Sequence, residues 1–146
     1  MTDRLFCYGT LQVPEVIHTV TGRTYDGLAA QLPGFAIKKL RDAQYPAVID
    51  SPDDETAGIL YTGLSEEDLA LLDLFEGELY QRKLLKVSTP DGQTCKAWVY
   101  VIKDQYRHKL TQDRWYLQEF LDKGFQSFMQ NYVEGRRQIY ARRKNV

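Results

Sequence analysis

The stretch Leu72-Asp73-Leu74-Phe75-Glu76-Gly77-Glu78-Leu79-Tyr80-Gln81-Arg82 joins the end of a helix to the start of a strand. Upstream of it, Ser65 is a good N-cap, and Glu66, Glu67 and Asp68 put negative charge in the first turn, where the helix dipole is positive. Leu64 and Leu69 stand at the two hydrophobic-staple positions. Leu69, Leu72 and Phe75 recur at helical spacing as one apolar stripe, and Gly77 supplies the positive-φ residue with which helices commonly end. Glu76 therefore falls in the last turn. The negative end of the helix disfavours another negative charge there, and apolar neighbours hydrate the carboxylate poorly. Both effects raise its expected pKa toward neutrality, which suits a proton acceptor and donor. A plain exposed helix-end residue is the competing reading of Glu76, and these residues alone do not separate the two.

Outward from this junction, residues 83–89 and 94–102 read as the two arms of a hairpin with the turn Pro90-Asp91-Gly92. The second arm alternates Cys95, Ala97, Val99 and Val101 with Lys96, Trp98 and Tyr100. The aromatic face predicts either a cavity wall or a surface covered by a helix. Toward the N-terminus, Leu5-Phe6-Cys7-Tyr8 is a short apolar strand running into Gly9-Thr10-Leu11, and a short helix is expected from Val16. Residues 28–32 read as a strand closed by the turn signal Pro33-Gly34, and residues 35–40 as the next strand. Tyr45-Pro46-Ala47-Val48-Ile49 follows, its proline marking an edge or a strand start. Residues 51–55 read as an exposed turn and 57–64 as a further strand. A final helix is predicted from about 111–113 through Tyr132, with Leu117, Phe120, Leu121, Gly124, Phe125, Phe128 and Met129 as a packing stripe. This order predicts an α+β domain built on a small, mixed, mostly antiparallel and closed sheet flanked by helices.

The 146 residues suit one domain with a real core, and 43% apolar with 12% aromatic content is that of a globular chain. Residues 1–134 are read as that domain, with the predicted C-terminal helix over 111–134, and 135–146 as a basic tail. The tail carries Arg136, Arg137, Arg142, Arg143 and Lys144 without an acidic residue, so a chain total of −1 leaves −6 for the rest. A solvated extension is the plain reading of the tail; a contact with a phosphate-rich partner is the other. The total charge argues against a general nucleic-acid or membrane-surface role. No apolar run approaches the roughly 20 residues of a membrane span. The sequence opens with no secretory signal, and its two cysteines, Cys7 and Cys95, fit free thiols in a reducing compartment, so a cytoplasmic protein is expected.

Several chemistries are weak here. Cysteine catalysis by Cys7 needs a histidine base, and His18 and His108 both lie in polar segments without an evident orienting partner. There is no phosphate-loop motif, no Gly-x-Ser-x-Gly and no metal-ligand cluster. Glu76 and Glu78 are too close at a helix end to serve as opposed glycosidase carboxylates. Gly9, at the end of the first strand, lets backbone approach a ligand, and the N–H groups after it suit an anion such as a carboxylate.

Four motifs occur in order: Tyr8-Gly9-Thr10-Leu11; Tyr45-Pro46-Ala47-Val48; the Leu72–Arg82 stretch with its Leu-Asp-x-Phe-Glu and Tyr-x-Arg elements; and Ala97-Trp98-Val99-Tyr100. This set resembles the γ-glutamylcyclotransferase-like superfamily, in particular its AIG2-like and γ-glutamylamine cyclotransferase branches, over about residues 5–102. Thr10 stands where serine is commoner, which keeps the hydroxyl. The resemblance implies a small β-barrel flanked by helices with a pocket at one mouth. It implies Glu76 as the catalytic acid/base. It makes Tyr8, Gly9, Thr10 and Leu11 the segment that holds the α-amino-acid end of a γ-glutamyl group, Tyr80 and Tyr100 pocket residues, and Arg82 a structural partner of a nearby carboxylate.

The implied reaction cyclises a small-molecule γ-glutamyl amide or dipeptide to 5-oxoproline and releases an amine or amino acid. It requires no metal and no cofactor. A metabolite-binding protein of the same fold without catalysis is the alternative, and an interaction module acting through the basic tail is a third reading. The leaving amine and the oligomeric state are not encoded in these motifs.

Overall fold

The computed structural model of the chain describes residues 2–130. Five strands, β1 (Leu5–Cys7), β2 (Asp26–Lys39), β3 (Pro46–Thr62), β4 (Tyr80–Ser88) and β5 (Thr94–Ile102), close into a barrel in the order β1-β3-β2-β4-β5. Every pairing is antiparallel except that of β1 with β5, where Leu5 faces Trp98. The barrel is thus the mixed, mostly antiparallel closed sheet expected from the sequence.

Alternation along the strands separates two cores. Phe6, Leu32, Val48, Leu60, Val87, Ala97 and Val99 fill the barrel interior. Leu5 and Cys7 point the other way, into a second core under the helices. There α1 (Pro14–Thr21) contributes Val16, Ile17 and Val20, and α2 (Glu66–Glu76) contributes Leu69, Leu72 and Phe75. The start of α2 is a full capping box: Ser65 Oγ accepts from the Asp68 N–H at 3.0 Å, and Asp68 Oδ2 accepts from the Ser65 N–H at 3.1 Å. Buried Leu64 and Leu69 occupy the staple positions, and Gly77 ends the helix at φ 76°.

Three expected breaks are placed differently. Pro33-Gly34 is not a turn between strands but an irregularity within the single strand β2, where Gly34 takes φ 83°. Pro33 faces Glu55 while Phe35 faces Asp50, so residues 51–54 have no partner in β2 yet stay within β3 instead of ending it. Thr56 Oγ1 donates to the Phe35 carbonyl at 2.9 Å and stitches the irregularity shut. The hairpin arm β4 begins at Tyr80, three residues before the expected 83, and so reaches directly back to the end of α2.

A further difference lies after β5. Residues 104–109 form a 3₁₀ segment, and residues 109–113 run beside the end of β2: Arg41 N–H donates to Lys109 O, Thr111 N–H to Lys39 O and Lys39 N–H to Asp113 O. These cross-chain bonds occupy the backbone groups of the residues predicted to start the last helix. That helix begins only at Leu117 and divides at Gly124 into α3 (Leu117–Lys123) and α4 (Phe125–Phe128). Phe120 and Phe128 are buried as the packing stripe predicts, whereas Leu121 is exposed. Tyr132, the rest of the predicted 111–134 helix, and the 135–146 tail lie outside the described residues.

Candidate active site

At one mouth of the barrel, β1 ends and the chain turns through Tyr8 and Gly9 into a 3₁₀ turn, Thr10–Gln12. Several bonds fix this turn. Gln12 N–H donates to Gly9 O at 3.1 Å, and Gln12 Nε2 donates to Tyr8 O at 2.7 Å. Tyr61 Oη, from β3, reaches Leu11 O at 3.1 Å and Gln12 O at 3.0 Å. The Thr10 and Leu11 N–H groups have no hydrogen-bond acceptor among the described residues. Gly9 has an ordinary negative φ of −116°. What requires glycine there is contact: a Cβ would come within 2.9 Å of Pro46 Cδ. The glycine thus lets Tyr8-Gly9 pack on Tyr45-Pro46.

Three tyrosines cross this mouth. Tyr8 Oη donates to the Tyr100 carbonyl at 2.6 Å, and Tyr80 Oη to the Pro46 carbonyl at 2.6 Å. Tyr100 Oη donates to Asp73 Oδ1 at 2.7 Å. Asp73 also receives Arg82 through Nε at 2.9 Å and Nη2 at 3.2 Å, a two-point pair that ties α2 to β4. The Arg82 guanidinium lies 4.3 Å from the Trp98 ring centroid. The carboxylate partner that the resemblance implies for Arg82 is therefore Asp73. The aromatic face of β5 combines both expectations for it: Tyr100 lines a cleft, and the same hydroxyl is held by the overlying helix.

The cleft has about 330 Å³ of atom-free space, part of it open to solvent. Tyr8, Gly9, Thr10 and Leu11 form one wall; Tyr80, Tyr100 and Glu76 face it. All seven residues singled out from the sequence therefore meet at one place. Four further residues line it: Phe6, Cys7, Tyr45 and Pro46. Tyr45 and Pro46 were visible only as part of a motif, and Tyr61 supports the turn from outside with no signal beyond its place in a strand.

Glu76 is half-buried at the last turn of α2. Burial raises the pKa values of Tyr8 and Tyr100 well above the usual tyrosine range, and the Glu76 charge adds to both; at Tyr100 the Asp73 carboxylate contributes more than Glu76. Burial, then Glu76, likewise pushes the Cys7 thiol up. A thiol so disfavoured as a thiolate is a poor nucleophile. Cys7 and Cys95 are free thiols. Among the described residues no group of three or more His, Cys, Asp or Glu side chains could hold a metal ion. No described helix is long and apolar enough to cross a membrane.

The chain is similar to known proteins in sequence and fold. The model of the family described as "Gamma-glutamyl cyclotransferase, AIG2-like" matches residues 5–118. An Arabidopsis thaliana protein, "AIG2-like protein C", is 32% identical over 102 residues, which is 69% of this chain but only 59% of that protein. An Arabidopsis thaliana solution structure superposes with a TM-score of 0.69 at 28% identity, covering 99% of this chain and 86% of the other. A structure described as "Gamma-glutamyl cyclotransferase" shares the fold with a TM-score of 0.63 at 21% identity, over 73% of this chain and 74% of that one. With a family model spanning its barrel, its first two α-helices and its cleft, this chain belongs to the AIG2-like γ-glutamyl cyclotransferase family.

Proposed function

We propose that the protein cyclises γ-glutamyl amides, with Glu76 as the proton carrier. The observation that supports this most is that Glu76 shares one narrow cleft with the Tyr8–Leu11 turn. In the proposed reaction the substrate's α-amino nitrogen attacks its own γ-carbonyl carbon. The C–N bond of a five-membered lactam forms, and the bond to the leaving nitrogen breaks. An ammonium group has no lone pair with which to attack. Closing the ring takes two protons from that nitrogen, and Glu76 relays them in turn to the leaving nitrogen, so the products are 5-oxoproline and an amine in its ammonium form, and the carboxylate is restored.

Two physical contributions carry the rate. Acid/base help of this kind is worth roughly 10²–10⁴-fold. Holding the amine against the carbonyl of the same molecule contributes on the order of 7–11 kcal/mol. Glu76 is half-buried in the last turn of α2, beside the cleft where the proton must move. The Thr10 and Leu11 N–H groups are available to the substrate α-carboxylate. Tyr8 and Tyr100, kept neutral by burial, present no competing negative charge to it.

The test is release of 5-oxoproline by the full chain from γ-glutamyl dipeptides and γ-glutamyl alkylamides, followed by chromatography. The proposal expects turnover of at least one of these classes, dependent on the enzyme concentration. Saturable binding of the same compounds without any 5-oxoproline would instead make the protein a metabolite binder.

A further inference from the structure

A second cleft adjoins the first. It has about 850 Å³ of atom-free space open to solvent, and Tyr45 lines both. The Tyr45 ring sits between Tyr80 and Phe128, with centroids 6.5 and 6.3 Å away. Tyr45 is the one residue that the linings of the two clefts have in common.

The charge of the outer cleft is distinctive. Arg41, Lys109 and His108 line it, with Asp42 as the opposing carboxylate. Arg41 and His108 form no ion pair with any described residue, and Lys109 lies over the Tyr106 ring at 5.7 Å. The two permanent cations do not sit on independent loops. The Arg41 N–H bonds to the Lys109 carbonyl at 2.9 Å, and Leu40 pairs with Leu110 beside them. That ladder holds both side chains at one edge of the cleft. Residues 1–134 together carry a charge of −6, so this cleft is locally positive on a net-negative body.

We propose that the outer cleft is an anion subsite that receives a carboxylate on the leaving half of the substrate. The preferred substrates are then γ-glutamyl amino acids and peptides, and amides of cationic polyamines are disfavoured. The inference rests on the cyclotransferase reading for its chemistry and on the two cations for its selectivity. Tyr45 separates the part of the substrate that reacts from the part that is selected.

The experiment compares three substrates with the same acyl half: γ-glutamylglycine, γ-glutamylethylamide and γ-glutamylputrescine. The wild-type order of kcat/KM is expected to be anionic, then neutral, then cationic. In R41Q/K109Q the anionic-to-neutral ratio should fall, by roughly two- to fivefold for each cation removed, as for exposed charge pairs. K83Q/K86Q, which removes the same two charges from exposed positions of β4, should leave the ratio where it was. Equal kcat/KM for the anionic and neutral compounds, or a ratio unmoved in R41Q/K109Q, overturns the subsite while the cyclotransferase reading stands. If no compound is turned over, the cyclotransferase reading falls, and the subsite is decided by binding measured calorimetrically. Tighter binding of γ-glutamylglycine than of γ-glutamylethylamide, lost in R41Q/K109Q, sustains it; equal or absent binding overturns it.

Discussion

Tyr100 donates its hydroxyl to Asp73 at 2.7 Å, linking the floor of the cleft on β5 to the helix that ends in Glu76. The same carboxylate holds Arg82 by two nitrogens. Asp73 is thus the joint at which α2, β4 and β5 meet, one helical turn before the proposed proton carrier. It is a positioning residue: it acts on the cleft through Tyr100 and through the setting of the helix.

Asp73→Asn keeps the shape of the side chain and removes its charge. The Arg82 pair is partly exposed, with side-chain exposures of 23% for Arg82 and 43% for Asp73, so the expected loss of stability is only about 1 kcal/mol. The loss of 5-oxoproline formation should be larger than that stability loss would cause, because Tyr100 Oη is then held by a neutral amide oxygen instead of a carboxylate. Urea unfolding together with kcat on the same preparation separates the two effects. Equal activity in the variant removes Asp73 from the site.

Buried hydroxyl and thiol groups set the alkaline limit of the fold. Burial holds the Cys7, Tyr8 and Tyr100 protons well above the ordinary values of 9.0 for cysteine and 10.0 for tyrosine. The unfolded chain gives up these protons as the pH passes 9 to 10, while the folded chain retains them. Their stabilising effect is complete below that range and is lost as pH rises through it, by about 1.4 kcal/mol per group per pH unit. Unfolding midpoints in urea should therefore be level between pH 7 and about 8.5 with respect to these groups and fall above pH 9. Tyrosinate absorbance should show a fraction of tyrosines that ionise only on unfolding. Free titration of every tyrosine in the folded chain would contradict this.

Two glycines separate packing from function. At Gly58 a Cβ would meet the Cys7 carbonyl oxygen and come within 2.6 Å of Phe6 Cζ. Gly58→Ala should cost about 1–3 kcal/mol by overpacking where β1 and β3 lie together. At Gly9 the obstacle is the Pro46 ring at 2.9 Å. Gly9→Ala should displace the Tyr8–Leu11 turn from Pro46 and reduce turnover more than stability. Thermal unfolding and substrate kinetics on both variants check the contrast, and the reverse ranking would contradict it.

Much of this architecture was legible in local signals. Ser65, Leu64, Leu69 and Gly77 marked the ends of α2, and strict alternation on β5 grouped Ala97 and Val99 on one face, the face that fills the barrel interior. Gly34 and Asp50 show where legibility stopped. Pro33-Gly34 carries a turn signal, yet long-range pairing of β2 with β3 converts it into an irregularity within one strand. The late start of α3 has a similar cause, because bonds from Lys39 to Thr111 and Asp113 occur only when distant segments meet. The residues of the cleft could be named from motifs. That Tyr61 would brace the turn from β3, and that Tyr45 would divide two clefts, depended on the closure of the barrel.

The central claim is that Glu76 moves the proton during ring closure. The most direct measurement is single-turnover 5-oxoproline formation by Glu76→Gln, with binding of the γ-glutamyl compound measured on the same sample. Glutamine keeps the size of the side chain and one acceptor oxygen but cannot accept the ammonium proton. The expected result is a fall of roughly 10²–10⁴-fold in the rate of ring closure with binding retained. Ring closure at the wild-type rate in that variant would contradict the assignment.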